Sequence, residues 1–427
     1  MTHRRTHRNP WAWVPSLYFA EGIPYVVVMT VSVIMYKNLG ISNTDIALYT
    51  SWLYLPWAIK PLWSPFVDMF LTKRLWVVAT QLVISITLVG VAFTLSMSSF
   101  LVLTLMVFAL MAFSSATHDI AADGFYMLGL NEPQQAAYVG IRTTFYRIAM
   151  IAGQGAFVVL AGTLEPRIGI PQAWSVTFLV IAALFGVFCL YHRFILPYPA
   201  SDRSTLKEKS KGVLSEFIHT FVLFFQRKDI LVILLFLLFY RFAEAQLVKL
   251  VSPFLLDPRT KGGLGLTTSE VGIVYGTIGI IALTAGGLLG GYAISKKGLR
   301  WWLWPMVVIM HAPDLMFVYL SHFQPADLLF INIAVAFEQF GYGFGFTAYA
   351  MYMIYISQGE YKTAHFAICT GIMALGMMLP GMISGKIQEL IGYQHFFLWV
   401  MVSTIPGFIV AALVKIDPEF GKKKAEV

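Results

Sequence analysis

Charged residues stand deep inside apolar sequence in this chain. Glu21, Asp119, Asp123, Glu244 and Glu338 each interrupt a long apolar run, and so do the cations Lys60, Arg142, Arg147, Arg241 and Lys249. An ionised group at the centre of a bilayer costs about 2.5–3.5 kcal/mol on insertion scales. Such residues therefore face a cavity or each other, and they mark paths for protons, ions or polar solutes. A desolvated carboxyl favours its neutral form and so suits taking up and releasing a proton. A buried guanidinium or ammonium suits holding the carboxylate of a solute. Glu21 and Glu338 have no cation close in sequence and are the first candidates for a coupled proton. Asp119 and Asp123 are four residues apart, share a helix face and repel each other. They need a proton or a cation, and Arg142 and Arg147 on the next run are expected partners. Arg241 and Glu244 are three apart, which on one helix makes them either a self-satisfied pair or a joint substrate contact.

These residues sit in elements that must be membrane helices. The chain has 427 residues, 58% hydrophobic and 12% charged, with a mean hydropathy of +0.71. A soluble domain carries about 25% charged residues, so the composition is that of an integral membrane protein. Apolar runs of bilayer-crossing length fall near 12–36, 45–70, 75–96, 100–127, 136–162 and 173–195, then near 229–256, 268–294, 301–320, 326–356, 363–388 and 394–415. The expected organisation is a six-helix bundle over 1–196, a basic cytoplasmic linker over 197–228, and a second six-helix bundle over 229–427. The net charge of +8 comes from short loops. Arg4, Arg5, Arg8, Lys73, Arg74, the linker lysines, Lys296, Lys297, Arg300 and Lys422 all fall on one side. The positive-inside rule makes that side, with both termini, cytoplasmic. It also accounts for the basic residues without nucleic acid. Cys189 and Cys369 lie in apolar runs and form no disulfide or metal framework.

The halves repeat one another. Phe19-Ala20-Glu21 returns as Phe242-Ala243-Glu244, and Leu39-Gly40-Ile41-Ser42 returns as Leu264-Gly265-Leu266-Thr267, at offsets of 223 and 225 residues. Ile168-Gly169 returns as Ile391-Gly392. Six spans separate the copies, so both run in the same direction. That parallel repeat resembles the major facilitator plan of twelve transmembrane helices. Glu21-Gly22-Ile23-Pro24, the stretch Pro56 to Asp68, Thr117-His118-Asp119-Ile120-Ala121-Ala122-Asp123, Tyr146-Arg147 and Ser252 to Gly291 resemble the muropeptide permease branch of that superfamily, and its acetyl-CoA transporter relatives. The resemblance implies a cavity lined by spans 1, 4, 7 and 10, with spans 3, 6, 9 and 12 facing lipid. It also implies proton-coupled import of amino-sugar cell-wall fragments, anhydro-muropeptides, across a bacterial inner membrane.

On that reading Arg147, Arg241, Lys60, Glu244, Tyr146 and Tyr342 bind substrate. Glu21, Glu338, Asp119 and Asp123 carry the proton. Asp68, Lys73, Arg74 and Arg142 form a conformational latch. Span 9 departs from the plan, because His311 and Asp314 sit in a span expected to face lipid. The aromatic residues of span 10, including Tyr342, Phe346 and Tyr349, suit stacking on a sugar or plain packing. No phosphate-loop motif is present and no cofactor or metal is expected. The chain is expected to work as a monomer. A uniporter or exporter on the same fold is the nearest alternative. A membrane-embedded enzyme using His118-Asp119 or His311-Asp314 is the distant one.

Overall fold

The structure is a computed structural model that describes residues 8–203, 213–359 and 361–422, without the side chains of residues 68, 69, 136 and 213–217. Among the described residues it is helical, with no strand. Spans 1 and 3 to 10 are Pro10–Asn38, Lys73–Thr94, Phe100–Gly129, Glu132–Ile168, Ile170–Ile195, Ile230–Leu256, Thr268–Lys297, Leu299–Phe323 and Leu328–Ile356. Spans 11 and 12 form one run, Lys362–Leu413, turned at Gly392, whose φ is 74°. Span 2 is two helices, Asn43–Trp52 and Leu55–Phe70. Among the described residues the total is the twelve expected.

The repeated phrases are the helix punctuation. Gly40 and Gly265 both take a positive φ, as do Gly169 and Gly392, a conformation that glycine alone adopts freely. Ser42 and Thr267 both cap the following helix, accepting the Asp45 and Glu270 N–H groups. Each cap satisfies a donor that the first helical turn leaves open.

Packing divides the chain into two compact units. One runs to Met35 and resumes from Ile59 to Ile218; the other takes Tyr36–Ala58 and everything from His219 onward. The end of span 1 and the first half of span 2, which lie within the first bundle by sequence, thus pack with the second unit. The basic linker lysines Lys207, Lys209 and Lys211 lie outside the described residues. The linker's end folds as a helix, Val213–Phe225, which buries Phe224 in the second unit's core.

Small residues set the helix contacts. In the first unit a Cβ on Gly153 of span 5 would come within 2.2 Å of Val26 in span 1. In the second, the glycine face of span 8 meets span 10 directly. A Cβ on Gly286 would fall 2.1 Å from the Phe340 carbonyl oxygen, and one on Gly343 would fall 2.1 Å from that of Leu283. Nothing lies within 4 Å of a Cβ on Gly291. Gly286→Leu is therefore expected to overpack the bundle by about 1–3 kcal/mol, lowering the melting temperature of the detergent-solubilised protein by several degrees. Gly291→Leu should leave it unchanged. Fluorescence-detected size-exclusion after heating separates the two outcomes.

Candidate functional site

Each unit holds one cluster of charges inside its helices. In the first, Tyr18 and Glu21 of span 1 face Asp119 and Asp123 of span 4. Asp123 pairs with Arg142 of span 5 at 3.0 Å and accepts the Tyr18 hydroxyl at 3.0 Å. The Arg142 guanidinium lies over the rings of Tyr18 and Tyr126, 4.6 and 5.1 Å from their centroids. Asp119 pairs instead with Lys60 of span 2 at 3.6 Å. The two aspartates thus relieve their repulsion through cations from different spans. Glu21 is buried, and its Oε2 has no hydrogen-bond partner among the described residues. The charges acting on it are Asp123, Asp119, Lys60 and Arg142. Tyr146 stands among Asp119, Glu21 and Arg147. Arg147 does not join an aspartate as expected, and its guanidinium reaches the Met150 sulfur at 3.6 Å. Lys60 and Arg142 pair with the two aspartates, which leaves Glu21 without an ion pair among the described residues.

The second cluster brings together Glu244 of span 7, Asp314 of span 9 and Glu338 of span 10. One oxygen of each lies within 4.8 Å of one from each of the others, and all three side chains are buried. Neither Glu244 oxygen nor either Asp314 oxygen has a hydrogen-bond partner among the described residues. Glu338 accepts the Gln339 amide at 2.9 Å. His311 is 2% exposed, with Nδ1 at 3.6 Å from Asp314. The open question of span 9 is answered by a 3-10 turn at Ala312–Asp314, which swings His311 and Asp314 inward while Trp301, Trp304, Val308, Leu315 and Tyr319 stay on the exposed face.

Of the two readings open for Arg241 and Glu244, the self-satisfied i,i+3 pair is not formed, because span 7 is broken there. One helix ends at Phe239 and the next starts at Phe242, with Arg241 between them at φ −109° and ψ 21°. The Arg241 guanidinium donates to the Tyr342 hydroxyl and lies 4.9 Å from the Phe346 ring centroid. Tyr349, by contrast, is a core residue, fully buried against Phe236 and Tyr240. The chemistry open to the triad follows from its charges. Three carboxylates beside one guanidinium leave two negative charges, to be met by protons or by a cation.

Lys249, noted in sequence without a partner, is buried, and its ammonium donates to the Thr50 hydroxyl at 2.8 Å and lies 5.2 Å from the Tyr54 ring centroid. Other groups were not singled out from sequence. Lys37 pairs with Asp257 at 2.7 Å. Asn43 donates to Gln388 at 2.7 Å, and Tyr393 donates to Asp257 at 2.6 Å. These bonds fasten the end of span 1 and the start of span 2 to spans 7 and 11. A polar asparagine directly after the repeated Gly-x-Ser phrase was the one sequence signal for them. Among the latch residues, Lys73 and Arg74 offer backbone N–H groups to Asp202 at 2.7 and 3.0 Å. Arg74 also lies 3.9 Å from the Tyr198 ring centroid. Both residues thus hold the exit of span 6. The Asp68 side chain lies outside the described residues. His118 and Asp119 turn to different neighbours, His118 to Gln81 at 3.0 Å and Asp119 to Lys60, so they make no dyad.

Comparison with known proteins bears on this geometry. The profile of the Major Facilitator Superfamily matches residues 16–359. The anhydromuropeptide permease of Escherichia coli is 25% identical over 416 residues, covering 95% of this chain and 79% of that protein. A Rickettsia conorii protein bearing the name AmpG 4 is 26% identical over 413 residues, covering 92% and 94%. Among solved structures, a D-xylose-proton symporter superposes with a TM-score of 0.70 at 12% identity, covering 96% of this chain and 98% of its own. The nucleoside transporter NupG superposes with a TM-score of 0.66 at 16% identity, covering 95% and 98%.

The Lys37–Asp257 pair yields a direct test. Removing one partner of a buried pair costs about 3–5 kcal/mol, because the other charge is left uncompensated. Asp257→Asn should therefore speed amide hydrogen exchange over residues 36–45 and leave 170–195 unchanged. Equal exchange in both segments would show that the pair does not hold the segment.

Proposed function

Because this chain belongs to the Major Facilitator Superfamily and is a multi-pass membrane transporter, we propose that it imports amino-sugar cell-wall fragments of the anhydro-muropeptide class together with protons, by alternating access. The observation that carries the coupling is the second unit's buried triad, which holds more carboxylates than cations, together with the buried Glu21 of the first. A carboxyl in such a place gains a proton from the more acidic side and loses it when its surroundings change. In this reading Glu21 and Glu338 carry protons, with Glu244, Asp119 and Asp123 adjusting the charge around them. Arg241 with Tyr342, Arg147 with Tyr146, and Lys60 hold the anionic and polar groups of the solute. Lys249 joins them, because among the described residues its ammonium meets only a hydroxyl and a ring. Asp68, Lys73, Arg74 and Arg142 act as the latch. The names of the relatives support the substrate class, and the basic loops support an inner-membrane orientation with both termini in the cytoplasm. Two halves of six spans are the bodies that move, with the Tyr36–Ala58 segment exchanging its polar partners during the cycle.

Uptake of a labelled anhydro-muropeptide into proteoliposomes tests this. Symport requires uptake to rise when the outside is made acidic, since protons then enter down their gradient. Glu21→Gln or Glu338→Gln should abolish that acceleration while leaving exchange of preloaded substrate in place. If both variants keep the wild-type pH response, the proton lies elsewhere. A wild type that ignores the gradient is a uniporter.

Arg241→Gln and Lys249→Gln should each raise the KM for the same substrate about tenfold or more, as loss of a charge-assisted hydrogen bond of about 1.5–3 kcal/mol requires. They should change the pH response little. An unchanged KM in both variants would remove them from the substrate site.

A further inference from the structure

One feature of the second unit lies outside the charge clusters. A cavity of about 360 Å³ opens where span 9 begins and span 12 ends, lined by Arg300, Leu303, Trp304, Val414, Lys415 and Ile416 among others. Its two charged residues are both cations. Arg300 stands in the first turn of Leu299–His311, and Lys415 follows the last turn of Ile405–Leu413. Both are exposed, and neither has an ion pair among the described residues. The nearby acids are engaged elsewhere. Glu419 pairs with Lys422 at 2.6 Å, and the Asp417 carboxylate accepts the Glu419 N–H at 2.8 Å. The N-terminal end of the span 9 helix adds its own partial positive charge.

The wall below the cations has a second character. Trp304 lies one helical turn inward from Arg300, about 6 Å along the axis, and is 47% exposed. Leu303, Val414 and Ile416 continue the apolar lining. Ile405, Ile409 and Leu413 of span 12 are exposed along the same helix. Cations at a helix end, an indole beneath them and bare aliphatic side chains deeper down follow the polarity gradient of one leaflet. A soluble anion would use the cations and leave the apolar wall unfilled. A molecule with a phosphate at one end and acyl chains at the other uses both.

We propose that this cavity binds the phosphate headgroup of an anionic phospholipid, with Arg300 and Lys415 on the phosphate and Trp304 against the glycerol and upper acyl segment. Basic pockets between transmembrane helices on the cytoplasmic side recognise such headgroups by the same chemistry. The site is independent of the solute and proton groups, so its failure would leave the transport reading intact.

Native mass spectrometry of the delipidated full-length protein, titrated with phosphatidylglycerol or phosphatidylcholine, tests the proposal. Wild type should prefer phosphatidylglycerol by about thirtyfold, the scale that two basic groups at a membrane surface contribute. Lys362→Gln, an exposed cation away from the cavity, should keep that preference. The double variant Arg300→Gln, Lys415→Gln should bring it close to parity, and single Lys415→Gln should fall between. A double variant that binds like wild type overturns the proposal. So does glycerol 3-phosphate binding as tightly as the lipid, since the ligand would then be a soluble anion.

Discussion

The fold depends on how carboxylates are kept inside a low-dielectric bundle. Two like charges 4.8 Å apart repel by about 3–4 kcal/mol at an effective dielectric of about 20. That is as large as the insertion cost of either one. Glu244, Asp314 and Glu338 therefore cannot stand together without positive charge, and Arg241 supplies only part of it. The surrounding helices bear this burden visibly. Span 7 breaks to bring Arg241 beside the rings of span 10, and span 9 turns through three residues to bring His311 to Asp314. Irregular backbone inside a membrane is tolerated where it is buried in protein or lines a polar cavity. Both irregularities fall at the triad.

The duplicated halves keep their scaffold and exchange their charges. Positive-φ glycines and capped helix starts recur at matching places, because a turn needs the same backbone whatever it carries. At the same 223-residue spacing, Glu21 corresponds to Glu244, Tyr18 to Arg241 and Asp123 to Phe346. In one half a tyrosine donates to an aspartate. In the other an arginine lies over a phenylalanine. The same span-to-span contact thus survives with its polarity reversed. Two copies of one bundle thus come to hold different charged groups at matching places.

Much of this was legible in the sequence. Periodicity and length gave the spans, and the repeated Gly-x-Ser/Thr phrase gave the turns, because local rules govern both. The charged residues of spans 1, 4, 7 and 10 were legible because ionisable groups are rare in membrane helices. Their partners were not. Asp119 takes Lys60 rather than an arginine of span 5, and Lys37 finds Asp257 more than two hundred residues away. Which cation reaches which acid depends on the rotation of helices, and no spacing encodes that. That Arg241 and Glu244 would not pair with each other was hidden for a different reason. Spacing rules assume an unbroken helix, and the Tyr349 hydroxyl caps the Leu237 carbonyl at 2.6 Å just before the break, a contact made from another span.

The glycines and the polar bonds divide the structural work. Spans 8 and 10 meet backbone to backbone at Gly286 and Gly343, and no hydrogen-bonded side chain has to be exchanged to keep them together. The Tyr36–Ala58 segment is attached differently. Gly385 also lets Asn43 approach closely, since a Cβ there would fall 2.0 Å from the Asn43 carbonyl oxygen, but the fastening is an ion pair and a set of side-chain hydrogen bonds. A glycine surface carries no interdigitated side chains, so it can part without forcing rotamers. Polar groups released from one another find water at little net loss, because each such bond contributes only about 0.5–1.5 kcal/mol. A buried aliphatic interface would lose about 25 cal/mol for every Å² exposed. The segment is thus held by interactions that are specific in register and inexpensive to break, as the proposed exchange of partners would require.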